Sequence, residues 1–292
     1  MTQIRVLRPG DEPALEAFLL PRIETSMFLL GNMRAAGLED HGQHLQGTYV
    51  AAFDGDQIVG VVAHYWNENL ILQAQAPVQF DALCHAAIEA SGRKLMGLLG
   101  PAAQVQAVKD AFDLSEDAIQ MDETENLYSL RLADLIVPEG LRSGRLTGRR
   151  IQPGDVEQVT EWLVAFSLEA LAEEEGPQLW ELVRSGVQRK QVQGLTWILH
   201  DRGNPVSTSA FNTRTAEVVQ IGGVYTPPEL RSRGYGRAVV AASLLDARAE
   251  GVHSSILFTG VENIAAQRSY GALGYQHIGD YRLLRMRESA DA

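Results

Sequence analysis

Cysteine is almost absent from this chain, since Cys84 is the only one among 292 residues. A single thiol cannot form an intramolecular disulfide, which excludes the disulfide-rich class of small secreted proteins. The surrounding sequence, ALCHAAIEA, is apolar and typical of a helix. We therefore expect a small buried hydrophobic side chain and not a nucleophile.

Long apolar runs are also absent. No stretch approaches the roughly 20 apolar residues needed to span a bilayer, although 45% of the residues are hydrophobic. The first residues, MTQIRVLRPGDEPAL, predict a strand, a turn and a helix, and they lack the continuous apolar segment of a signal peptide. The expectation is a cytoplasmic protein with no membrane partner, long enough for two hydrophobic cores.

Positive charge is in deficit, because 25 Lys and Arg stand against 37 Asp and Glu, a formal net charge of −12. This balance argues against a nucleic-acid partner and is compatible with a cationic small substrate. His41 and His44 have no further ligand candidates at metal spacing, so no metal site is predicted.

The stretch with the clearest functional pattern runs from Glu217 to Gly236 and reads EVVQIGGVYTPPELRSRGYG. Its apolar, β-branched beginning predicts a buried strand that stops at Pro227. The sequence after the glycines, RAVVAASLLDARAEG, predicts a helix that ends at Gly251. A strand, a glycine-rich turn and a helix together present free backbone N–H groups to a phosphate.

Three phosphate-binding loops share this architecture. The Walker loop requires Gly-Lys-Ser/Thr, whereas Gly236 is followed by Arg237 and Ala238, which disfavours a nucleotide triphosphatase. The Rossmann fingerprint requires a third glycine where this chain has Val239. That fingerprint also stands near the start of a domain, whereas this motif lies late in the chain. A third pattern fits better.

The segment Arg231–Gly236 matches the R/Q-x-x-G-x-G/A signature of the GNAT superfamily of acyl-CoA-dependent N-acetyltransferases. Downstream, Asn263 to Ala266, then Tyr270, then Gly274 and Tyr275 resemble the family's second motif, N-x-x-A-x-x-x-Y-x-x-x-G-F, with tyrosine in place of the final phenylalanine. Two motifs in the right order make the resemblance specific. The motif match covers only residues 217 to 275.

The two halves of the chain repeat the same landmarks. A strand leads into Arg8-Pro9-Gly10-Asp11 in the first half, with Asp11 predicted as a helix N-cap. The same pattern recurs in the second half, where a strand leads into Gln152-Pro153-Gly154-Asp155. Two helices and a hairpin are predicted after each, with turns at Asp54-Gly55 and at Arg202-Gly203-Asn204. We therefore predict an α/β fold of two tandem GNAT-like domains, each a mixed, mostly antiparallel sheet flanked by helices. The predicted bounds are 1–136, a linker at 137–145, and 146–292.

The first half lacks the phosphate loop. After its candidate fourth strand, Leu70 to Ala74, no glycine loop or arginine cluster follows, and Asp81 and Glu89 would repel a phosphate. The interpretation is a degenerate domain that supports the second one.

The resemblance implies acetyl-CoA as co-substrate and a set of residues that contact it. The strand positions are Val224, Tyr225 and Thr226, the signature begins at Arg231, and the pyrophosphate positions are Ser232, Arg233, Gly234, Tyr235, Gly236 and Arg237. Asn263 is expected to cap its helix and touch CoA. Tyr270 corresponds to the family's general acid toward the CoA sulfur.

The sequence leaves the general base open. Glu217 opens the fourth strand, where some family members hold a glutamate. Glu169 and the run Glu173 to Glu175 end the first helical segment and would attract a cationic amine, but they equally suit a solvated helix end. His200 fits a structural histidine better than a base.

The predicted function is N-acetylation of a small-molecule amine by direct attack on the thioester. A non-catalytic acyl-CoA binding or sensing protein is the alternative class. The two-domain length also resembles that of mycothiol synthase, another tandem GNAT protein. The sequence permits a homodimer, because edge strands can pair between chains.

Overall fold

The computed structural model describes residues 3–75, 78–170 and 173–287. The chain divides into two compact units, Met1–Leu127 with Ile278–Ala292, and Tyr128–His277. These units differ from the domains expected from the sequence: the boundary follows Leu127, and the residues from Ile278 onward belong with the first unit. Tyr128–His277 also includes the segment that the sequence interpreted as a linker.

The strands and α-helices alternate along most of the chain. In order, they are β1 (Gln3–Val6), α1 (Glu12–Leu19), α2 (Ile23–Ala36), β2 (Gly47–Asp54), β3 (Gln57–Tyr65), β4 (Asn69–Ala74), α3 (Phe80–Ser91), β5 (Gly97–Pro101), α4 (Ala102–Ala111), β6 (Ile119–Arg131), α5 (Glu139–Arg142), β7 (Leu146–Arg150), α6 (Val156–Ala170), α7 (Pro177–Val192), β8 (Thr196–Asp201), β9 (Asn204–Arg214), β10 (Val218–Tyr225), α8 (Tyr235–Ala249), β11 (Ser254–Gly260), α9 (Ile264–Gly271) and β12 (Gln276–Met286).

The N-terminal unit has the strand order β1-β2-β3-β4-β5-β12, in which β4 and β5 are parallel and the other neighbours are antiparallel. Two apolar clusters pack on its sheet: one joins α1 and α2 to β2 and β3, the other joins α3 and α4 to β4. Cys84 is fully buried on α3, and burial raises the pKa of its thiol to about 12. Its predicted role as a small hydrophobic side chain is confirmed.

The C-terminal unit has the order β11-β10-β9-β8-β7, with β10 and β11 parallel and the others antiparallel. One cluster packs α8 on the sheet through its alanines, valines and Leu244, and a second packs α6 and α7 through Val159 and Val187. The helices therefore flank the sheet, and β10 is one of its interior strands. The predicted fold class is confirmed.

The repeated Pro-Gly-Asp landmark has one structural role in both units. Asp11 accepts hydrogen bonds from the Arg5 guanidinium at 2.7 and 2.8 Å, and Asp155 accepts them from Arg149 at 2.6 and 2.9 Å. Asp11 holds the predicted N-cap position of α1, but its carboxylate accepts from the Arg8 N–H at 2.8 Å and makes no cap hydrogen bond to the helix. The two aspartates therefore tie a helix start to the preceding strand.

No described helix is long and apolar enough to cross a membrane. Within the described ranges, no three His, Cys, Asp or Glu side chains cluster as metal ligands.

Candidate functional site

The parallel strands β10 and β11 separate halfway along their length. Their register runs from Val218 opposite Ser254 to Ile221 opposite Leu257 and is not continued beyond that pair, although β10 reaches Tyr225. Backbone groups on the last half of β10 therefore lack a β11 partner within the described sheet. Such groups are available to a ligand that enters between the strands.

A β-bulge on β10 accompanies the separation. Gly222 lies opposite Ala210 on β9 and Tyr225 lies opposite Thr208, so three steps along β10 match two along β9. Gly223 occupies the bulge with φ +58°, the left-handed region that glycine adopts without strain. A bulge next to an unpaired strand end turns the backbone groups of Val224 out of the ladder.

The N-terminus of α8 follows β10 directly. Gly234 is its N-cap, with φ +77°, and no side chain caps the helix. The first N–H groups of a helix have no intrahelical partner and carry a partial positive charge. An added Cβ on Gly236 would lie 3.4 Å from Thr226 Oγ1 and 3.8 Å from Val224 Cγ1, so this glycine faces the end of β10.

The three arginines of the predicted loop are held differently. Arg231 donates to both carboxylate oxygens of Glu169 at 2.7 and 2.6 Å, and Arg233 donates to the Glu229 carbonyl at 3.2 Å. The Nε of Arg237 is buried and has no hydrogen-bond partner among the described residues. A buried donor without a partner is costly, so this guanidinium beside the free helix end suits an anionic ligand.

Several predicted cofactor contacts are already engaged in the protein. The carbonyl of Tyr225 accepts from Ser207 Oγ at 2.8 Å, and the carbonyl of Thr226 accepts from Arg231 Nε at 3.0 Å. The Tyr235 side chain is buried and donates to Asp201 at 2.6 Å, so only its backbone N–H faces the helix end. Ser232, with φ +62°, is exposed on the turn before Gly234.

The second motif forms the start of α9, at the edge of the sheet where β11 ends. Asn263 accepts from the Ala266 N–H at 3.0 Å, which confirms the predicted N-cap. Tyr270 is half-buried against the core cluster that includes α8, with its ring centroid 5.9 Å from that of Tyr275. Because β10 and β11 are parallel, α8 and α9 both begin at the same edge of the sheet.

Glu217 lies at the other edge. It precedes Val218, and its carbonyl accepts from the N–H groups of His253 and Ser254. Val224 is seven residue steps further along the strand, a length of about 23 Å for extended chain. The structure therefore does not bring this predicted base together with the loop.

The carboxylates of the first helical segment divide into two sets. Glu169 is held by Arg231, whose guanidinium lowers its pKa. Glu173, Glu174 and Glu175 are exposed after α6. Leu171, at the predicted end of this helix, lies outside the described residues.

Sequence reasoning missed a polar pair near the bulge. Asn212 is the extra residue of a bulge on β9, since Thr213 lies opposite Gln220 and Phe211 opposite Ile221. Its amide lies over Gly222, and its Oδ1 accepts from Lys190 Nζ at 2.9 Å. The bulges on β9 and β10 and the end of α7 bring Asn212 and Lys190 together. These residues are distant in sequence, so no contiguous motif indicates the pair.

The corresponding strands of the N-terminal unit are closed by a side chain. Gln104, on α4, donates to the carbonyl of Ala74 at 3.0 Å and accepts from its N–H at 3.0 Å. Ala74 ends β4, which runs parallel to β5. The amide of Gln104 therefore occupies the backbone groups that a ligand would need.

The C-terminal unit matches a known protein family. Residues 156–275, which include the separated strands and both helix starts, match the model of the acetyltransferase (GNAT) family. No curated protein sequence matches the chain significantly.

Solved structures share the fold over the whole chain. A GCN5-related N-acetyltransferase from Sphaerobacter thermophilus is 16% identical, with a TM-score of 0.61 and coverage of 100% of this chain and 98% of its own. A tandem GNAT protein from the clavulanic acid biosynthesis pathway is 14% identical, with a TM-score of 0.54 and full coverage, 100% of each chain. An acetyltransferase of the GNAT family from Colwellia psychrerythraea is 11% identical, with a TM-score of 0.55, 98% of this chain and 100% of its own. The chain thus has a tandem GNAT fold, and residues 156–275 are the part that matches the acetyltransferase (GNAT) family.

Proposed function

We propose that the C-terminal unit transfers an acetyl group from acetyl-CoA to the amine of a small molecule by direct attack on the thioester. The observation that carries this proposal is the separation of β10 from β11 beyond Ile221 and Leu257, which leads to the uncapped N-terminus of α8. The gap offers backbone groups to the pantetheine arm, and the helix end favours a pyrophosphate.

The residues proposed to hold the nucleotide end belong to the turn and the first turn of α8. The backbone N–H groups of Gly234, Tyr235 and Gly236 would donate to phosphate oxygens, and Arg237 Nε would gain the partner that it lacks. Arg231 would exchange Glu169 for a phosphate, because an ion pair with both side chains accessible contributes little, about 0–1 kcal/mol.

The bulge is proposed to serve the reacting carbonyl. The backbone N–H groups near Val224 would donate to the oxygen on which negative charge develops, with Gly223 permitting the turn. As the amine nitrogen bonds to the carbonyl carbon, the carbon–sulfur bond breaks and the nitrogen releases a proton. Tyr270 is the proposed acid that protonates the sulfur, because its phenol O–H can donate a proton to a departing thiolate.

The acceptor is proposed to be a cationic amine in solution. Glu173 to Glu175 are exposed carboxylates on the connection between α6 and α7, and they would attract such a molecule. Glu217 is not part of this proposal, because it lies at the opposite edge of the sheet.

A matched pair of glycine variants tests the site. Gly234 and Gly203 both have positive φ in the C-terminal unit, +77° and +85°, but Gly203 belongs to the β8–β9 turn. Gly234→Leu and Gly203→Leu should lose similar stability, while only Gly234→Leu should abolish acetyl-CoA binding in a calorimetric titration. Equal binding by both variants would contradict the proposed phosphate site, and binding by the native protein without thiol release for any amine would favour a sensor.

A further inference from the structure

The chain contains few lysines, and their surroundings differ sharply. It has three, Lys94, Lys109 and Lys190, against 22 arginines. Lys109 is paired with Glu116 and Asp122 at 2.8 Å each, and these partners raise its pKa. A lysine with two carboxylate partners stays protonated and is a poor nucleophile.

Lys190, in the last turn of α7, has different surroundings. Its Nζ donates to Asn212 Oδ1 at 2.9 Å, and within the described ranges no carboxylate lies at ion-pair distance. Burial first, and then repulsion from Arg189, lower the pKa of Lys190 to about 8. Its side chain nevertheless remains partly accessible to solvent. This amine is therefore desolvated and still within reach of a small molecule.

The position of Lys190 relates it to the proposed acyl site. An added Cβ on Gly222 would lie 2.0 Å from Asn212 Nδ2 and 2.6 Å from Asn212 Oδ1, the atom that holds Nζ. Gly222 precedes the bulge residue Gly223, at which β10 has left β11. One amide group therefore links Nζ to Gly222, two residues before Val224, near which the thioester carbonyl is proposed to lie.

Gln220 marks the same face of β10. It is two residues before Gly222, so both project to the same side of the strand. Gln220 is 4% exposed, and its Oε1 has no hydrogen-bond partner among the described residues. The polar atoms of Lys190, Asn212 and Gln220 therefore belong to the face on which α6 and α7 pack, and a polar acceptor would be bound there.

We propose that Lys190 is a self-acetylation site, modified by acetyl-CoA bound in its own C-terminal unit. The inference rests on the proposed function. The neutral Nζ, held through one N–H by Asn212, forms a bond to the acetyl carbonyl carbon, and the carbon–sulfur bond breaks. The nitrogen releases one proton, the sulfur takes one up, and the products are N-acetyl-lysine and free CoA thiol. The amide is stable, so the modification replaces a desolvated cation on the acceptor side with a neutral group.

The test is peptide mass spectrometry of the full-length protein after incubation with acetyl-CoA, with binding measured in parallel by calorimetry. Lys190 should gain one acetyl group at least tenfold faster than Lys94, and unfolding the protein in urea should abolish the difference. Binding without acetylation of Lys190, or equal labelling of Lys94 and Lys190, would overturn the inference and leave the proposed function intact. Absence of binding would instead contradict the proposed function.

An isosteric variant tests whether the hydrogen bond to Asn212 is responsible for the reactivity of Lys190. Asn212→Asp places a carboxylate beside Nζ, which favours the ammonium form, so acetylation of Lys190 should slow by about tenfold or more. Competitive labelling with acetic anhydride needs no bound CoA. In the native protein it should show Lys190 to be more reactive than Lys94, and in Asn212→Asp it should show Lys190 to be less reactive than in the native protein. An unchanged rate in both assays would contradict the role of Asn212.

Discussion

At the residue scale, the chain places a cation where its charge is unfavourable. Lys190 has an amide oxygen as its hydrogen-bond partner and a pKa of about 8, whereas Lys109 is compensated by two carboxylates. A compensated lysine stabilises the fold. An uncompensated lysine destabilises it, and such costs are concentrated at functional sites.

This contrast predicts opposite effects of two matched variants. The pKa of Lys190 is about 8 in the folded protein and about 10.4 in the unfolded chain. At pH values between these two, the unfolded chain binds more protons than the folded protein, so the free energy of unfolding rises with pH. Lys190→Met should therefore stabilise the protein at pH 7, by on the order of 1–2 kcal/mol, and this gain should vanish near pH 10. Lys109→Met should destabilise it, because Glu116 loses its ion-pair partner and Asp122 keeps only Arg282. Thermal unfolding across this pH range measures both, and a loss of stability for Lys190→Met would contradict the lowered pKa.

At the element scale, β10 combines regular pairing at its start with irregular backbone at its end. Val219 to Ile221 pair on both sides, while Gly222 and Tyr225 pair only with β9, on either side of a bulge. The irregular half depends on Gly223, because a residue with a Cβ pays about 1–2 kcal/mol in the left-handed region, and asparagine pays least.

Two substitutions at Gly223 should differ for this reason. Gly223→Val should lose about 2 kcal/mol of unfolding free energy and weaken acetyl-CoA binding, whereas Gly223→Asn should retain stability to within about 1 kcal/mol. Urea unfolding and calorimetric titration of the two variants provide the measurements. Equal stability of both would mean that the strand relaxes to a regular conformation.

The sequence predicted the elements whose signals are local. The strand at Val218–Tyr225, the helix after Gly234 and the cap at Asn263 were predicted because their residues are contiguous. The strands β5 and β11 were not assigned from the sequence, since short apolar runs carry no distinctive period. The partners of Arg231 and Lys190 could not be predicted, because Glu169 and Asn212 reach them through tertiary packing.

At the scale of the whole molecule, two units of one fold differ at the end of one strand and in the segment that follows it. The Gln104 side chain pairs with both backbone groups of Ala74 in the N-terminal unit, while the equivalent strand end in the C-terminal unit is open. The sequence between β4 and α3, QAPVQ, also contains no glycine. These differences favour one acetyl-CoA site per chain.

Variants at Gln104 should change the stability of the protein but not the number of acetyl-CoA molecules that it binds. Gln104→Ala leaves the N–H and the carbonyl of Ala74 without partners and should cost about 1–3 kcal/mol. Gln104→Glu can still accept from the N–H, so its cost should be smaller. Calorimetric titration should give one site in the native protein and in both variants, and a second site in the native protein would mean that the N-terminal unit also binds CoA.

The open end of β10 has a consequence for the lifetime of the protein. The end of β4 is closed by Gln104 and needs no ligand. On the side of β10 that has left β11, the backbone gains partners only when something binds there. A ligand that binds only the folded state stabilises it in proportion to the logarithm of its concentration. If acetyl-CoA is that ligand, local opening of the C-terminal unit, and with it degradation by proteases, should become rarer as the cellular thioester supply rises. The abundance of the protein would then follow the metabolic state of the cell without any change in its synthesis.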